Sequence, residues 1–326
     1  MNFSTQAPAI FYVAVTEALY RCRDGKTALL LKGDADTDAL VAEFGLLHRD
    51  LEIARKVQKA SFPQKSLAIP GLQCATFYKP AHSIGGDYYD FLPLDDGTWG
   101  IAVGDVSGKG IGAALVMATL QASLRAQTLP PRPDIQTLMK NVNLVVRESS
   151  PAEFFASLFY AEYEPASRLL TYVNAGHNPP VVVRRSYGRC KFLSLQCGGV
   201  PVGALDGSHY DSETFQLEPG DILVAYTDGL TESDNPGGKA FGQERLKRIL
   251  CSCAAEQPQE ILQHILRDLS AHSAGSPQMD DLTLVVMRVE TERSHAQHML
   301  PCVNNSERFG TESRIPTQLH ARYLLY

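Results

Sequence analysis

Between residues 70 and 290 the sequence consists mainly of short apolar runs, bounded by glycine, proline or acidic turn residues. Such runs predict β-strands, and helical patterns interrupt them only at residues 113–127, 134–148 and 259–269. Because strands and helices do not alternate one for one, a doubly wound parallel sheet is not expected. We therefore predict an α+β fold, a β-sandwich of two antiparallel sheets flanked by helices. The predicted strands are residues 72–78, 98–103, 157–163, 169–174, 181–185, 221–226 and 282–289.

The first of these helices is rich in alanine, and its apolar side is predicted to contain Leu115, Ala118, Ala122 and Leu124. A buried helix face of this kind would cover one of the sheets.

An amphipathic linker helix is predicted at residues 38–62, upstream of the strands. Its apolar residues are spaced alternately by four and three positions, and Pro63 ends it. The apolar stripe is Leu40, Phe44, Leu47, Leu51 and Ala54. The stripe covers about two heptads, so two interpretations remain open: the helix packs on its own domain or on a twin chain, or it is a signalling linker. Residues 1–37 are expected to be a cap or the remnant of an upstream domain, residues 63–290 the main domain, and residues 291–326 a disordered tail.

The composition argues against several classes of partner. A net charge of −6 and a pI near 5.9 do not favour binding to nucleic acid or to an anionic membrane. The apolar runs are far shorter than the ~20 residues that span a bilayer, and the N-terminus does not resemble a secretory signal. Seven scattered cysteines do not form the pattern of a disulfide framework. A reduced, cytoplasmic protein is expected.

The stretch at residues 101–115 runs from a strand pattern through a glycine-rich turn into a helix pattern, as a phosphate-binding loop does. The spacing is wrong for that loop, because only three residues separate Gly104 from Gly108. Lys109 is followed by Gly110, so the hydroxyl residue that would bind magnesium is missing. Asp105, at the end of the apolar run, is the more informative residue, since an unpaired carboxylate is costly to bury there.

Acidic residues recur at the ends of the strand patterns. Asp87 precedes one strand pattern, Asp105 and Asp228 each follow one, and Asp280 and Asp281 precede another. Each taken alone is typical of a turn or a helix cap. Their repeated placement favours a site for Mg²⁺ or Mn²⁺, because these hard cations prefer oxygen ligands and are held by a few carboxylates. No cluster of histidine and cysteine favours zinc.

Taken in order, these motifs resemble the metal-dependent protein phosphatase family of the type 2C-like fold, in its bacterial SpoIIE/RsbU branch. The resemblance covers about residues 50 to 290. The motifs that carry it are Glu52-Ile-Ala-Arg-Lys-Val-Gln58, Phe62-Pro63, Tyr78-Lys-Pro-Ala81, Gly85-Gly-Asp-Tyr-Tyr-Asp-Phe91, Gly104-Asp-Val-Ser-Gly-Lys-Gly110, Met117-Ala118, Asn174-Ala-Gly-His-Asn-Pro179, Tyr226-Thr-Asp-Gly-Leu-Thr-Glu232 and Asp280-Asp-Leu-Thr283.

The resemblance implies a pair of Mn²⁺ or Mg²⁺ ions at one end of the sandwich. Asp87 and Asp105 would hold the pair with the backbone carbonyl of Val106, and Asp228 and Asp280 would complete the site. Asp281 stands where many relatives have asparagine, so its part in coordination is left open. Four further residues are candidates for accessory roles in binding substrate or donating a proton, with a structural role equally open for the histidine: Gly86, Lys109, His177 and Asn178.

The resemblance also implies a function. Members of this branch remove phosphate from a serine of a STAS-type anti-sigma factor antagonist by using metal-activated water, and the helix before the domain carries dimerisation or regulatory signals. An active phosphatase with such a substrate, able to form a homodimer through residues 38–62, is therefore expected. The alternative is a catalytically silent regulator with the same fold. A metal-dependent nucleotide cyclase or hydrolase would need a purine-binding element that the sequence does not offer.

Overall fold

The computed structural model of the chain describes residues 35–63 and 68–291, and in the first of these ranges it describes the side chains of residues 43 and 45–63. Most of the segment predicted at residues 1–37 and nearly all of the tail predicted at residues 291–326 lie outside the described residues. Those two predictions therefore stay predictions.

The described chain contains six helices and eleven strands. The helices are α1 (Ala35–Ser61), α2 (Ile111–Gln127), α3 (Ile135–Ser149), the short α4 (Asp228–Thr231), α5 (Gln243–Ser252) and α6 (Pro258–Ser273). The strands are β1 (Leu72–Lys79), β2 (Tyr88–Pro93), β3 (Trp99–Val106), β4 (Ala156–Glu164), β5 (Leu169–Ala175), β6 (Val181–Ser186), β7 (Arg189–Ser194), β8 (Gly198–Gly199), β9 (Glu213–Gln216), β10 (Ile222–Tyr226) and β11 (Leu282–Val289).

These strands form two sheets. One has the order β1-β11-β10-β6-β7, and all of its pairs are antiparallel. The other has the order β2-β3-β4-β5-β8, with β9 also pairing with β5. The short β8 runs parallel to β5, so the second sheet is mixed rather than purely antiparallel as predicted.

The sheets pack face to face, and helices cover both outer surfaces. One apolar cluster joins the inner faces of the sheets and continues under α2 and α3, and a second joins the outer face of the first sheet to α5 and α6. Strand β11 is buried on both sides: Val285 and Met287 belong to the first cluster, and Leu284 and Val286 belong to the second. Burial on both faces explains why its sequence is a continuous apolar run rather than an alternating one.

The predicted fold class is confirmed, but one helix face was assigned wrongly. Leu115, Ala118 and Ala122 are exposed on α2, whereas Leu124 is fully buried. The buried face is instead formed by Ala113, Met117, Leu120 and Leu124, which are spaced by four and three residues. Helical periodicity cannot choose between two apolar faces of one helix, and the contact with the sheet makes that choice.

A disulfide joins Cys190 of β7 to Cys251 of α5, with their Cα atoms 5.8 Å apart. It links the edge strand of the first sheet to the helix layer that covers that sheet. Among the described residues, Cys74, Cys197 and Cys253 are free thiols. The expectation of a fully reduced chain is therefore wrong for this pair, because a sequence separation of 61 residues carries no spacing signal.

The predicted linker helix is present as α1. Its C-terminal end contacts the domain, while Leu46, Ile53 and Val57 are at least half exposed along its length. Leu47, a member of the predicted apolar stripe, is 50% exposed. Leu51 and Ala54 are partly buried, and the side chains of Leu40 and Phe44 lie outside the described residues. Among the described helices, none is long and apolar enough to cross a membrane.

Candidate metal centre

The predicted acidic residues meet because of the strand registers. Asp87 lies one residue before β2, and Asp105 is the penultimate residue of β3. These antiparallel strands pair with Tyr88 opposite Gly104, so the start of β2 lies beside the end of β3. Two carboxylates that are distant from each other in the strand pattern thus become neighbours at one end of the second sheet.

The first sheet contributes its two carboxylates in the same way. Asp228 follows β10 and opens α4, and Asp280 lies just before β11. The end of β10 pairs with the start of β11, with Tyr226 opposite Leu284. The structure therefore brings Asp228 and Asp280 together, and the packing of the sheets places them at the same end of the sandwich as Asp105.

A cleft of about 300 Å³ opens at this end between the two sheets. Its walls come from the β3–α2 turn, the start of β4, the loop after β5, and the β10 and β11 ends. The lining residues are Asp105, Val106, Ser107, Gly108, Lys109, Phe155, Ser157, Gly176, His177, Asn178, Pro201, Asp228 and Asp280.

Asp87 lies beneath the cleft and is only 1% exposed. Its Oδ2 accepts hydrogen bonds from the hydroxyls of Thr227, at 2.8 Å, and Thr283, at 2.6 Å, both from the opposite sheet. Burial and the neighbouring Asp105 raise the pKa of Asp87 well above its ordinary value, and the two hydroxyls offset only part of this effect. Asp87 therefore links the two sheets through hydrogen bonds, but no positively charged side chain among the described residues balances its carboxylate.

The cleft carboxylates repel one another. Burial and then the charges of Asp228, Asp280 and Asp281 raise the pKa of Asp105 to about 7. The pKa of Asp228 is also raised, by burial and then by Asp280. Desolvated like charges of this kind are typical of sites that bind a cation, although structural networks also produce them.

Lys109 supplies the positive charge nearest to this cluster. Its Nζ lies 2.9 Å from Oδ2 of Asp280 and also donates a hydrogen bond to the backbone carbonyl of Met279. The ammonium group and the carboxylate are each about one-third exposed. The predicted accessory residue therefore contacts a predicted metal ligand directly.

Asp281 has a different environment from Asp280. Its Oδ1 accepts a hydrogen bond from the Ala81 amide at 2.7 Å, and its Oδ2 accepts one from the Gly86 amide at 2.6 Å. A Cβ on Gly85 would lie 2.2 Å from the same carboxylate, so only glycine fits there. Asp281 thus holds the loop before Asp87, and both of its oxygens are engaged by backbone amides.

Gly86 and Val106 form a close backbone contact next to Asp87. A Cβ on Gly86 would come within 3.0 Å of the Val106 carbonyl oxygen and within 3.0 Å of the Ala113 Cβ. A side chain at Gly86 would therefore crowd the carbonyl that was predicted to act as a ligand. Glycine leaves that oxygen accessible.

His177 is 4% exposed at the edge of the cleft. Its Nδ1 lies 2.8 Å from the Ser157 hydroxyl, and its backbone amide donates a hydrogen bond to Oδ1 of Asn174 at 2.7 Å. Burial lowers the pKa of His177 to about 4, which the Tyr226 backbone offsets only in part. The ring is therefore neutral near pH 7 and positions the loop that carries Asn178 into the cleft.

The linker helix contacts the same site. Gln58 of α1 donates through Nε2 to the Gly85 carbonyl at 2.7 Å and accepts at Oε1 from the Gly85 amide at 3.2 Å. The helix end is held as well, because the Ser61 carbonyl accepts from Gln121 at 3.0 Å and from Arg125 at 3.1 Å. The last turn of α1 thus contacts the loop that leads to Asp87.

As the side chains stand within residues 35–63 and 68–291, no three His, Cys, Asp or Glu groups form an arrangement that could hold a metal ion. In this arrangement the hydroxyls of Thr227 and Thr283 donate hydrogen bonds to Asp87, and the ammonium group of Lys109 contacts Asp280. A cation between the carboxylates would offset their mutual repulsion and allow them to approach one another.

Sequence reasoning missed three residues of the site. Thr227 and Thr283 are completely buried and bind Asp87, and Gln58 binds Gly85. The threonines lie in the motifs around Asp228 and Asp280, but a threonine beside a strand has no pattern that distinguishes it from an ordinary β-former. Gln58 ends the motif Glu52-Ile-Ala-Arg-Lys-Val-Gln58, which carried the resemblance, but nothing in that motif indicates a contact with Gly85.

Comparison with known proteins supports the resemblance. The family model described as "Stage II sporulation protein E (SpoIIE)" matches residues 95–290. The phosphoserine phosphatase RsbU of Bacillus subtilis is 31% identical over 246 residues, which is 73% of this chain and 70% of RsbU. Protein IcfG of a Synechocystis species is 28% identical over 276 residues, which is 74% of this chain but only 42% of IcfG.

The fold has a close structural counterpart. The SiaA-PP2C domain of Pseudomonas aeruginosa matches with a TM-score of 0.65, over 76% of this chain and 98% of that domain. The sequence identity is 22%, so this likeness concerns the fold. It agrees with the two packed sheets and outer helices described above.

Proposed function

The chain belongs to the metal-dependent, type 2C-like protein phosphatases, in their SpoIIE/RsbU branch, and on that premise we propose that it hydrolyses phosphoserine on a regulatory protein with the help of two Mn²⁺ or Mg²⁺ ions. The convergence of Asp87, Asp105, Asp228 and Asp280 without an arginine partner is the single observation that carries this proposal. When bound, such an ion pair supplies a hydroxide nucleophile near neutral pH and offsets charge on the phosphoryl oxygens.

The residues present fit hard divalent cations. The candidate donors are carboxylate oxygens and one backbone carbonyl, which are the ligands that Mg²⁺ and Mn²⁺ prefer. Their repulsion, expressed in the raised pKa values of Asp87, Asp105 and Asp228, is the kind that a bound cation relieves. We assign Asp87, Asp105, the Val106 carbonyl, Asp228 and Asp280 as ligands, and Asp281 as the residue that positions the Asp87 loop.

The other cleft residues would act on the substrate. The side-chain amide of Asn178 can donate a hydrogen bond to a phosphoryl oxygen. The ammonium group of Lys109 can reach the same part of the cleft if it leaves Asp280. His177 is neutral near pH 7 and would position the Asn178 loop rather than transfer a proton. None of these roles needs a nucleophilic side chain, since that chemistry would come from the ions held by the carboxylates.

We propose a phosphorylated STAS-domain protein as the substrate and the cytoplasm as the location, following the relatives of this branch. We also propose a homodimer through residues 38–62. The exposed Leu46, Leu47, Ile53 and Val57 support it, since an apolar helix surface of this kind is stabilised by pairing with a second helix. The Gln58–Gly85 contact would then connect the paired helices to the metal site.

Hydrolysis of p-nitrophenyl phosphate by the full chain tests the phosphatase activity. We expect turnover with MnCl₂, none with EDTA, and none in Asp228→Asn under either condition. A folded protein without turnover in any divalent cation would instead favour the catalytically silent regulator. Release of phosphate from candidate phosphorylated STAS proteins encoded in the same genome would identify the substrate.

A further inference from the structure

Four exposed apolar side chains lie in the cleft wall or on segments next to it. Ile111 is 52% exposed, Leu115 66%, Phe155 39% and Met279 72%. We call these four residues the apolar rim. Exposed apolar groups are common when scattered singly, but a contiguous set beside a polar cleft marks a binding surface.

Backbone contacts place the rim residues around the same turn. Phe155 lines the cleft, and its carbonyl accepts a hydrogen bond from the Ser107 amide at 2.8 Å. Met279 lies on the other side, where its carbonyl accepts a hydrogen bond from Lys109. Ile111 begins α2 two residues after Lys109. Phe155, Met279 and Ile111 thus belong to three segments that contact or continue the β3–α2 turn.

The rim continues along α2. Leu115 follows Ile111 by four residues, so both lie on one face of the helix. Ala118 and Ala122 extend that exposed face, and the first charged residue of the helix is Arg125. The acidic cleft therefore opens directly onto an uncharged, apolar helix surface that the described part of this chain does not cover.

We propose that the apolar rim binds the residues on either side of the phosphoserine, and that the enzyme therefore prefers phosphoserine sites flanked by leucine, isoleucine or valine. This inference rests on the proposed phosphatase function and adds the substrate class. A cleft of about 300 Å³ holds a phosphoserine side chain but not the chain around it. When the phosphoryl group occupies the part of the cleft that Asp105 and Asp228 line, the neighbouring substrate residues lie outside the cleft and next to the rim.

Two synthetic phosphoserine peptides test this preference. One has leucine and valine on both sides of the phosphoserine, and the other has serine and glycine there, with the same length and charge. We expect the full chain with Mn²⁺ to show a kcat/KM about tenfold higher for the apolar peptide, because one or two side chains leave water on binding. Equal kcat/KM values for the two peptides would overturn the proposal.

Leu115→Asp and Ile111→Asp are the informative variants, and Leu144→Asp is the matched control. Leu144 is 53% exposed on α3, beside a different surface cleft. We expect both rim variants to lose the preference for the apolar peptide while hydrolysing p-nitrophenyl phosphate at the wild-type rate, and Leu144→Asp to behave as wild type. The unchanged small-ester rate shows that the variants are folded.

Other outcomes separate the alternatives. If Leu115→Asp keeps the preference but changes the mass measured by light scattering, a second copy of the chain covers this face and the proposal is wrong. If the wild type hydrolyses neither peptide nor p-nitrophenyl phosphate with Mn²⁺, the proposed phosphatase function fails and this inference fails with it. If the protein hydrolyses p-nitrophenyl phosphate but shows no preference between the peptides, the proposed role of the apolar rim is wrong and the proposed phosphatase function stands.

Discussion

Asp87 and Asp221 are equally buried aspartates in very different surroundings. Asp87 is 1% exposed and Asp221 is 2% exposed. The carboxylate of Asp221 is bound by Arg184, whose Nε lies 3.0 Å from Oδ1 and whose terminal nitrogen lies 2.6 Å from Oδ2. Asp87 has two threonine hydroxyls and another carboxylate beside it, and no arginine.

The difference separates a structural charge from a functional one. A buried carboxylate is tolerated when a guanidinium and hydrogen bonds satisfy it, as at Asp221 and also at Asp90, where Arg125 Nε lies 2.7 Å away. Asp87, Asp105 and Asp228 lack such a partner. A bound cation would balance their charge, which is why the comparison favours a cation site at this end of the sandwich.

The largest expected effect is on catalysis. Asp105→Ala and Asp228→Ala should each lower turnover of p-nitrophenyl phosphate with Mn²⁺ by about 1,000-fold, as loss of a charge-stabilising group does in other active sites. In EDTA both variants should melt at or above the wild-type temperature, because a repelling buried carboxylate is gone. Near-normal activity in either variant would show that the ligand assignment is wrong.

The opposite result is expected at the arginine-paired aspartate. Asp221→Ala leaves Arg184 without its buried partner and should lower the free energy of unfolding by about 2–4 kcal/mol, measured by urea denaturation. The kcat at a permissive temperature should stay within about twofold of wild type, because Asp221 lies outside the cleft. A stable Asp221→Ala variant would remove the distinction between the two regions.

The repelling carboxylates should also give the metal-free protein an unusual pH dependence. The pKa of Asp105 is raised to about 7, so between pH 4 and pH 7 the folded chain keeps a proton that the unfolded chain has lost. Stability from this group is therefore greatest at low pH and is lost as the pH rises through that window. In EDTA the melting temperature of the wild type should therefore fall as the pH is raised from 5 to 7.

Asp105→Asn is the control for that titration. It should flatten the slope between pH 5 and pH 7 in EDTA, and saturating Mn²⁺ should flatten it in the wild type. A wild-type slope that survives Asp105→Asn would assign the titration to another group.

The smallest effect is expected at Lys109. Its ammonium competes with a metal ion for Asp280, so Lys109→Met should tighten Mn²⁺ binding about two- to fivefold, a magnitude typical of a partly exposed ion pair. Isothermal titration calorimetry measures this without reference to activity. Weaker binding in Lys109→Met would mean that the lysine supports the site rather than opposing the ion.

The fold could be predicted from the sequence because its signals are local. Apolar runs such as Leu282–Val289 and the glycine-flanked Asp87, Asp105 and Asp228 mark strands and strand ends without any knowledge of pairing. Strand register then brings the acidic residues together. The carboxylates of the candidate site could therefore be predicted from the sequence, because they lie next to turns.

The remainder depends on contacts between distant segments. The hydroxyls of Thr227 and Thr283 matter because the opposite sheet brings Asp87 to them, and nothing within either motif shows that partner. The Cys190–Cys251 disulfide and the exposed face of α2 are equally non-local. Packing decides which of the two apolar faces is buried and which two of the described cysteines meet.

Helix α1 has 27 residues and is therefore about 40 Å long, with one turn for every 3.6 residues. Gln58 reaches Gly85 from only one orientation of that helix. A turn of α1 about its own axis by the angle of a single residue, about 100°, would carry the Gln58 amide away from the loop before Asp87. Rotation of α1 alone, with no bending and no change in its own hydrogen bonds, would thus remove the support that Gln58 gives to the loop before Asp87.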